Sequence, residues 1–146
     1  MQTLKFTISI NSYPRKIWNT LWDKETYTQW TEPFTPGCYY ETDGWKEGNK
    51  ILLLAPNGDG MSSILYKIID PCYLAFKHIT FIKNGEELPI DDEIKKWNGC
   101  IEAYTIYETE DDCELVVEVD TADEYVEMMQ KMFPEALKTV KKLAES

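Results

Sequence analysis

Apolar and polar side chains alternate near the start of the chain. Leu4, Phe6, Ile8 and Ile10 are separated by single polar residues, and the run stops at Asn11. Because successive side chains of a strand point to opposite faces, this pattern predicts a β-strand with one face on a core and the other toward water.

Two short helices are predicted directly after this strand. Ser12 stands before Pro14 and is expected to cap the first helix, because its hydroxyl can accept a free N–H and proline fits the first turn. Asp23 is expected to cap the second helix, which ends before Pro33. Apolar side chains recur at helical spacing in both helices: Ile17, Trp18, Leu21, Tyr27 and Trp30.

The middle of the chain has the pattern of a strand meander. Apolar runs alternate with short turns, such as the one over residues 56–60 and the one at Asp70 and Pro71. Such close turns favour antiparallel pairing, because parallel strands need long crossover connections. Strands are predicted over 50–55, 61–69, 73–82, 100–108 and 113–120.

A polar segment over residues 83–97 interrupts the meander. It opens with a turn at Asn84 and Gly85, and Asp91 is expected to begin a capped helical turn that ends near Trp97. Loops of this length are often lids or binding loops, whereas a plain connection is the simpler interpretation. Both interpretations stay open on the sequence, and Trp97 would either plug a cavity mouth or anchor the loop.

The C-terminal segment has the pattern of one long amphipathic helix. Thr121 and Glu124 have the spacing of a capping box, in which each side chain satisfies a free N–H of the first turn. Pro134 lies inside the pattern and is expected to bend the helix, which would help to hold a cavity open. The apolar stripe consists of Val126, Met129, Phe133, Ala136, Leu137, Val140, Leu143 and Ala144.

Charge and cysteine content narrow the partners and the compartment. Because the net charge is -11 and the pI is near 4.5, most of the surface should repel a polyanion. Neither nucleic acid nor an anionic membrane is therefore expected as a partner. The four cysteines have no metal-ligand spacing, and no signal peptide or membrane span is recognised. We therefore expect a cytoplasmic protein with reduced cysteines.

Motifs for catalysis are scarce. His78 is the only histidine, and the chain has no G-x-S-x-G nucleophile motif and no glycine-rich phosphate loop, so neither a cofactor nor a metal is expected. Glu102 lies in an apolar strand two residues before Tyr104, where a buried carboxyl could act as an acid or base. An exposed or otherwise hydrogen-bonded Glu102 is the favoured interpretation.

The order and spacing of these elements resemble the START-like (SRPBCC) superfamily over nearly the whole chain. Within it, the sequence looks most like homologues of the heat-shock protein 90 ATPase activator. The matching positions are Pro14 to Trp18, Leu21, Tyr27, Trp30, the Gly48 turn, Ile68 to Phe76, Glu102 to Tyr104, and Ala136-Leu137. The resemblance implies an α+β helix-grip fold over a single domain, 1–146. About six or seven antiparallel strands would form a curved sheet around a long C-terminal helix, with two short helices after the first strand.

Relatives in this superfamily commonly hold apolar molecules between sheet and helix. The leading hypothesis is therefore non-enzymatic binding of a hydrophobic small molecule or lipid. A protein-interaction module with a chaperone or other partner is the first alternative, although the activator itself pairs domains and this chain has one. A small-molecule enzyme of the cyclase or hydrolase type is the second. The predicted ligand-binding residues are Trp18, Leu21, Trp30, Leu53, Tyr66, Phe76, His78, Tyr104, Met129 and Phe133.

Overall fold

A curved antiparallel sheet of eight strands wraps around a long C-terminal helix in the computed structural model, which describes residues 1–146. The strands are β1 Gln2–Ile10, β2 Tyr39–Thr42, β3 Lys50–Leu54, β4 Gly60–Ile69, β5 Tyr73–Lys83, β6 Glu86–Glu87, β7 Ile101–Glu108 and β8 Cys113–Thr121. The helices are α1 Pro14–Trp22, α2 Lys24–Trp30, α3 Asp92–Lys95 and α4 Val126–Ala144. The predicted α+β helix-grip architecture is confirmed.

Strand order places the first and the last strand side by side. The sheet runs β1-β8-β7-β5-β4-β3-β2, and the two-residue strand β6 pairs with β5. Every pairing is antiparallel, as the short turns predict. Strand β1 joins β8 over its full length, with Leu4 opposite Val119 and Phe6 opposite Val117.

The main core lies between the concave face of the sheet and the helices. Phe6 stacks on Phe133 with ring centroids 4.9 Å apart, which joins the first strand to α4. Ala136, Leu137 and Val140 continue the same buried face of α4. The apolar stripe predicted from helical spacing is thus the contact surface of α4. The helix continues through Pro134, which is exposed to solvent, and the bend there stays a prediction.

The two predicted caps near the first helices have a different geometry from the expected one. The N-cap of α1 is Tyr13 rather than Ser12, and no side chain caps that helix, which begins at Pro14. Asp23 is the N-cap of α2, as predicted, but its side chain makes no capping hydrogen bond. Helix position here follows from burial of the apolar faces, which stabilises short helices more than a cap does.

The predicted capping box at the start of the C-terminal helix is wrong. Thr121 is the last residue of β8, where it pairs with Gln2, and its buried hydroxyl has no hydrogen-bond partner. A 3-10 turn over Asp123–Tyr125 follows, so α4 begins only at Val126. Sheet pairing with the N-terminal strand extends β8 through the position that local sequence assigns to a helix cap.

The segment after β5 has the predicted capped helical turn. The Asp91 side chain accepts hydrogen bonds from the Glu93 and Ile94 amides, and α3 follows it. Trp97 is buried against Phe81 and Tyr125, with ring centroids 5.4 and 5.7 Å away. Trp97 therefore anchors this segment to the sheet and to the start of α4. None of the four helices combines the length and the apolar character that crossing a membrane requires.

Candidate functional site

A cavity of about 210 Å³ lies between the concave face of the sheet and the helices α2 and α4. Its wall is almost wholly apolar, and the carboxylate of Glu102 is the only charged group in it. The wall consists of Trp22, Tyr27, Trp30, Thr31, Phe34, Cys38, Leu53, Met61, Phe76, Glu102, Tyr104, Val119, Met129 and Phe133. A largely apolar concavity with one charged group is the usual character of a small-molecule site.

Aromatic rings packed edge to face form one side of the cavity. The Trp22 ring lies 4.9 Å from Tyr104, 5.4 Å from Phe76 and 6.4 Å from Trp30, measured between centroids. Each pair is nearly perpendicular, which is a favourable arrangement for aromatic quadrupoles. Each of these rings is therefore packed against its neighbours in the wall.

The two indole N–H groups of this wall differ in their partners. Trp30 Nε1 donates to the Leu21 carbonyl oxygen at 3.0 Å. Trp22 Nε1 is buried and has no acceptor in the protein. A buried donor without an acceptor costs free energy, so the Trp22 indole is a group that an added acceptor atom would satisfy.

The Glu102 carboxylate is held by hydrogen bonds to both of its oxygens. His78 Nε2 lies 3.2 Å from Oε1, and the Tyr104 hydroxyl donates to Oε2 at 2.6 Å. The Glu102 side chain is 19% exposed, whereas that of His78 is 4% exposed. Glu102 therefore faces the cavity, and His78 supports it from behind the wall.

A fourth residue completes a chain of hydrogen bonds. Ser63 Oγ lies 2.6 Å from His78 Nδ1, and both side chains are buried. His78 Nδ1 is the only partner of the Ser63 hydroxyl, so the hydroxyl donates to this nitrogen. The network thereby assigns the imidazole proton to Nε2, which donates to Glu102. In this arrangement the Nε2–H of His78 donates to Glu102, which is an anion.

The ionisation of the site follows from this network. Burial acts to raise the pKa of Glu102, but the hydrogen bond and electrostatic attraction of His78 and the hydrogen bond from Tyr104 outweigh it and hold the pKa below its ordinary value. Burial, together with the nearby Glu102 charge, raises the pKa of Tyr104 well above its ordinary value and also raises that of Tyr27. The cavity wall thus holds one negative charge and neutral phenols.

The structure brings part of the predicted ligand-binding set together. Trp18 and Leu21 lie outside the cavity and belong to the core, where α1 packs on the rest of the protein. His78 lies behind Glu102 rather than in the wall. The predicted residues that line the cavity are Trp30, Leu53, Phe76, Tyr104, Met129 and Phe133.

Tyr66 does not line the cavity, contrary to the sequence prediction. Its side chain is 55% exposed on the convex face of the sheet, where the Lys77 ammonium group lies 5.2 Å from the ring centroid. Register shifts interrupt the pairing of β4 with β5 between Ser62 and Ser63 and between Leu65 and Lys67. Such bulges change which face a residue occupies, so simple alternation assigns Tyr66 to the wrong face.

Sequence reasoning missed several wall residues. Trp22 follows Trp18 at helical spacing, so the apolar stripe of α1 contained a signal for it. Tyr27 was assigned to the apolar stripe of α2 but not to the wall. Phe34 and Cys38 lie in the connection between α2 and β2, where no periodic pattern exists to assign a direction.

The wall offers no set of metal ligands. Glu102 is its only carboxylate, and nowhere in the structure do three or more His, Cys, Asp or Glu side chains converge. The arrangement can instead accept hydrogen bonds through the lone pairs of Glu102 that His78 and Tyr104 leave free.

No protein-family model and no curated protein matches the sequence, whereas many solved structures match the fold. The solution structure of the Aha1 dimer from Colwellia psychrerythraea has a TM-score of 0.70 and 19% identity, covering 99% of this chain and 97% of that one. Protein MLL2253 from Mesorhizobium loti has a TM-score of 0.74 and 12% identity, covering 97% of this chain and 96% of that one.

A third match comes from a biosynthetic locus. DynU16, a protein of the dynemicin biosynthetic locus, has a TM-score of 0.73 and 13% identity over all of this chain and 48% of its own length. The chain therefore shares its fold with the Aha1 dimer and with DynU16. The resemblance to the START-like superfamily, including Aha1-like proteins, is confirmed at the level of the fold. Fold alone does not determine the ligand, because function depends on the site.

Proposed function

We propose that this protein binds a small, mainly apolar molecule in the cavity beneath α4. The observation that carries the proposal is the largely apolar, aromatic-rich wall around a single carboxylate, with about 210 Å³ of space between sheet and helices. A cavity lined by apolar groups forfeits packing energy while it is empty, and an apolar guest restores those contacts. Binding also removes the apolar surface of the ligand from water.

The size of the cavity selects among apolar ligands. An engineered apolar cavity of roughly 150 Å³ holds benzene, whereas typical drug-sized sites are roughly 300–1,000 Å³. A volume of about 210 Å³ lies between these two values. It therefore suits a compact molecule with one substituted ring and is too small for a whole lipid with two acyl chains.

The comparisons support this class of ligand without naming it. DynU16 shares the fold and is a protein of the dynemicin biosynthetic locus. By analogy, a START-like domain with a ring-sized cavity suits a compact organic molecule. The proposed role is binding, and the acid–base alternative for Glu102 stays a prediction.

A pair of matched substitutions tests the proposal. Val119 lines the cavity, whereas Val116 lies on the opposite face of the same strand, so V119F fills the cavity and V116F makes the same change elsewhere. Toluene and naphthalene serve as probes, with binding measured by ligand-detected NMR. We expect wild type and V116F to bind both probes and V119F to lose them.

Folding is checked by thermal melting, because overpacking costs about 1–3 kcal/mol in a closed core. Equal probe binding by V119F and wild type would show that the cavity is not the binding site. If wild type binds no apolar probe of this size even in a saturated solution of the probe, the proposed function is excluded.

A protein-interaction module is the second candidate, favoured by the convex face of the sheet. Tyr66, Ile69 and Tyr107 are 55%, 50% and 56% exposed there, and exposed apolar patches mark interaction surfaces. The fold shared with the Aha1 dimer makes a chaperone of the heat-shock protein 90 class the partner to test. Sedimentation of the purified chaperone with wild type and with a Y66S/Y107S variant tests this candidate. Co-sedimentation of wild type but not of the variant would support it, and no co-sedimentation of wild type would reject it.

A further inference from the structure

We propose that the ligand of this cavity is a small organic cation, whose ammonium group binds between Glu102 and the aromatic wall. This inference rests on the proposed function and narrows it to one chemical class.

No cationic side chain shares the cavity wall with Glu102. No Lys or Arg lines the cavity, and His78 contacts the carboxylate from outside the wall. The other titratable wall groups are Tyr27, Cys38 and Tyr104, which are neutral because burial raises the pKa of each. The wall therefore carries a single net negative charge.

A neutral guest and a cationic guest differ in what they do to this anion. The Glu102 side chain is 19% exposed, and it borders the cavity. Any guest that fills the cavity removes that remaining hydration. A neutral hydrocarbon removes this water and leaves the carboxylate with only the hydrogen bonds of His78 and Tyr104, whereas an ammonium group replaces the water with an opposite charge.

The aromatic rings add a second attraction that only a cation receives. Trp22, Trp30, Phe76 and Tyr104 border the same space as Glu102. Faces of such rings attract a desolvated cation by up to about 2 kcal/mol, and indole is the strongest of them. Alkylated ammonium groups gain the most, because their methyl groups also fill apolar space and they are weakly hydrated.

Two isosteric probes separate charge from shape. Phenyltrimethylammonium and tert-butylbenzene have nearly the same size and shape and differ by one positive charge. We expect wild type at pH 7.5 to bind phenyltrimethylammonium at least about tenfold more tightly than tert-butylbenzene, as measured by ligand-detected NMR. Wild type alone gives this result, so the outcome does not depend on whether a variant folds.

The variant E102Q assigns the preference to the carboxylate. Its control is E118Q, which removes the same charge from the opposite face of the adjacent strand, where residue 118 pairs with Ala103. We expect E102Q to lose most of the preference, with the remainder due to the aromatic rings, and E118Q to keep the wild-type preference.

The possible results distinguish the two proposals. Equal binding of both probes by wild type, or tighter binding of tert-butylbenzene, overturns the proposal of a cationic ligand. The proposed binding of an apolar molecule is then unaffected. A preference in folded E102Q as large as that of wild type overturns the role of Glu102. If neither probe binds wild type, the proposed function fails and the cation proposal fails with it.

Discussion

His78 Nε2 lies 3.2 Å from Glu102 Oε1, so the single histidine of the chain supports the single carboxylate of the cavity wall. The two residues are 24 positions apart and belong to strands β5 and β7, which pair directly. A buried charge that loses such a partner is destabilising by roughly 3–5 kcal/mol, because the remaining group keeps its desolvation cost.

We therefore expect H78L to lower the free energy of unfolding by about 3 kcal/mol. E102Q should cost less, because it removes the charge and keeps the shape. In the double variant the losses should not add, with a coupling of more than about 1 kcal/mol by urea unfolding. A control cycle combines H78L with E110Q, because Glu110 is an exposed turn residue. Additive losses for His78 and Glu102 would contradict the structural pairing.

The pH dependence of stability should report the same network. The native pKa of Glu102 is lowered, so its contribution is fully present above the ordinary glutamate value of 4.5 and is lost as pH falls through the lowered native value. We expect the stability difference between wild type and E102Q to shrink as the pH falls below about 4.5. A difference that instead grows on acidification would show that Glu102 is protonated in the native state.

The thiol of Cys38 should report occupancy of the cavity. Cys38 lines the wall and burial raises its pKa, whereas Cys72 is exposed, so iodoacetamide should modify Cys72 first. Naphthalene at ten times its dissociation constant should slow modification of Cys38 about tenfold, because only the empty protein reacts. Peptide mass spectrometry follows both sites in one sample, and Cys72 serves as the internal control. Unchanged Cys38 modification would place bound naphthalene elsewhere.

The substitution T121V tests the boundary between β8 and the C-terminal helix. The Thr121 hydroxyl is buried without a partner, so replacing it with a methyl group should stabilise the protein by up to about 1 kcal/mol. A capping hydroxyl would give the opposite sign, because losing such a cap costs about 1 kcal/mol. Urea unfolding distinguishes the two, and T109V serves as a control, since that exposed hydroxyl bonds Asp112. Destabilisation of T121V would restore the capping interpretation.

The parts of this protein that the sequence determined are those with a local period. Alternation from Leu4 to Ile10 identified the first strand and its buried face, and the apolar stripe through Phe133 and Leu137 identified the buried face of α4. The alternation and the stripe are set by the 2.0 and 3.6 residue repeats of strand and helix, so they can be recognised without any partner element. Asp91 identified the start of α3 through another local signal, its capping side chain.

The polar centre of the cavity was decided by tertiary structure alone. Ser63, His78 and Glu102 come from three strands, and their side chains meet because of the register of β4, β5 and β7. Bulges in β4 and β5 displace that register, which brings Ser63 opposite His78 and leaves Tyr66 on the convex face. Bulge positions depend on cross-strand pairing and leave no periodic trace in either strand, so alternation alone could not place these side chains.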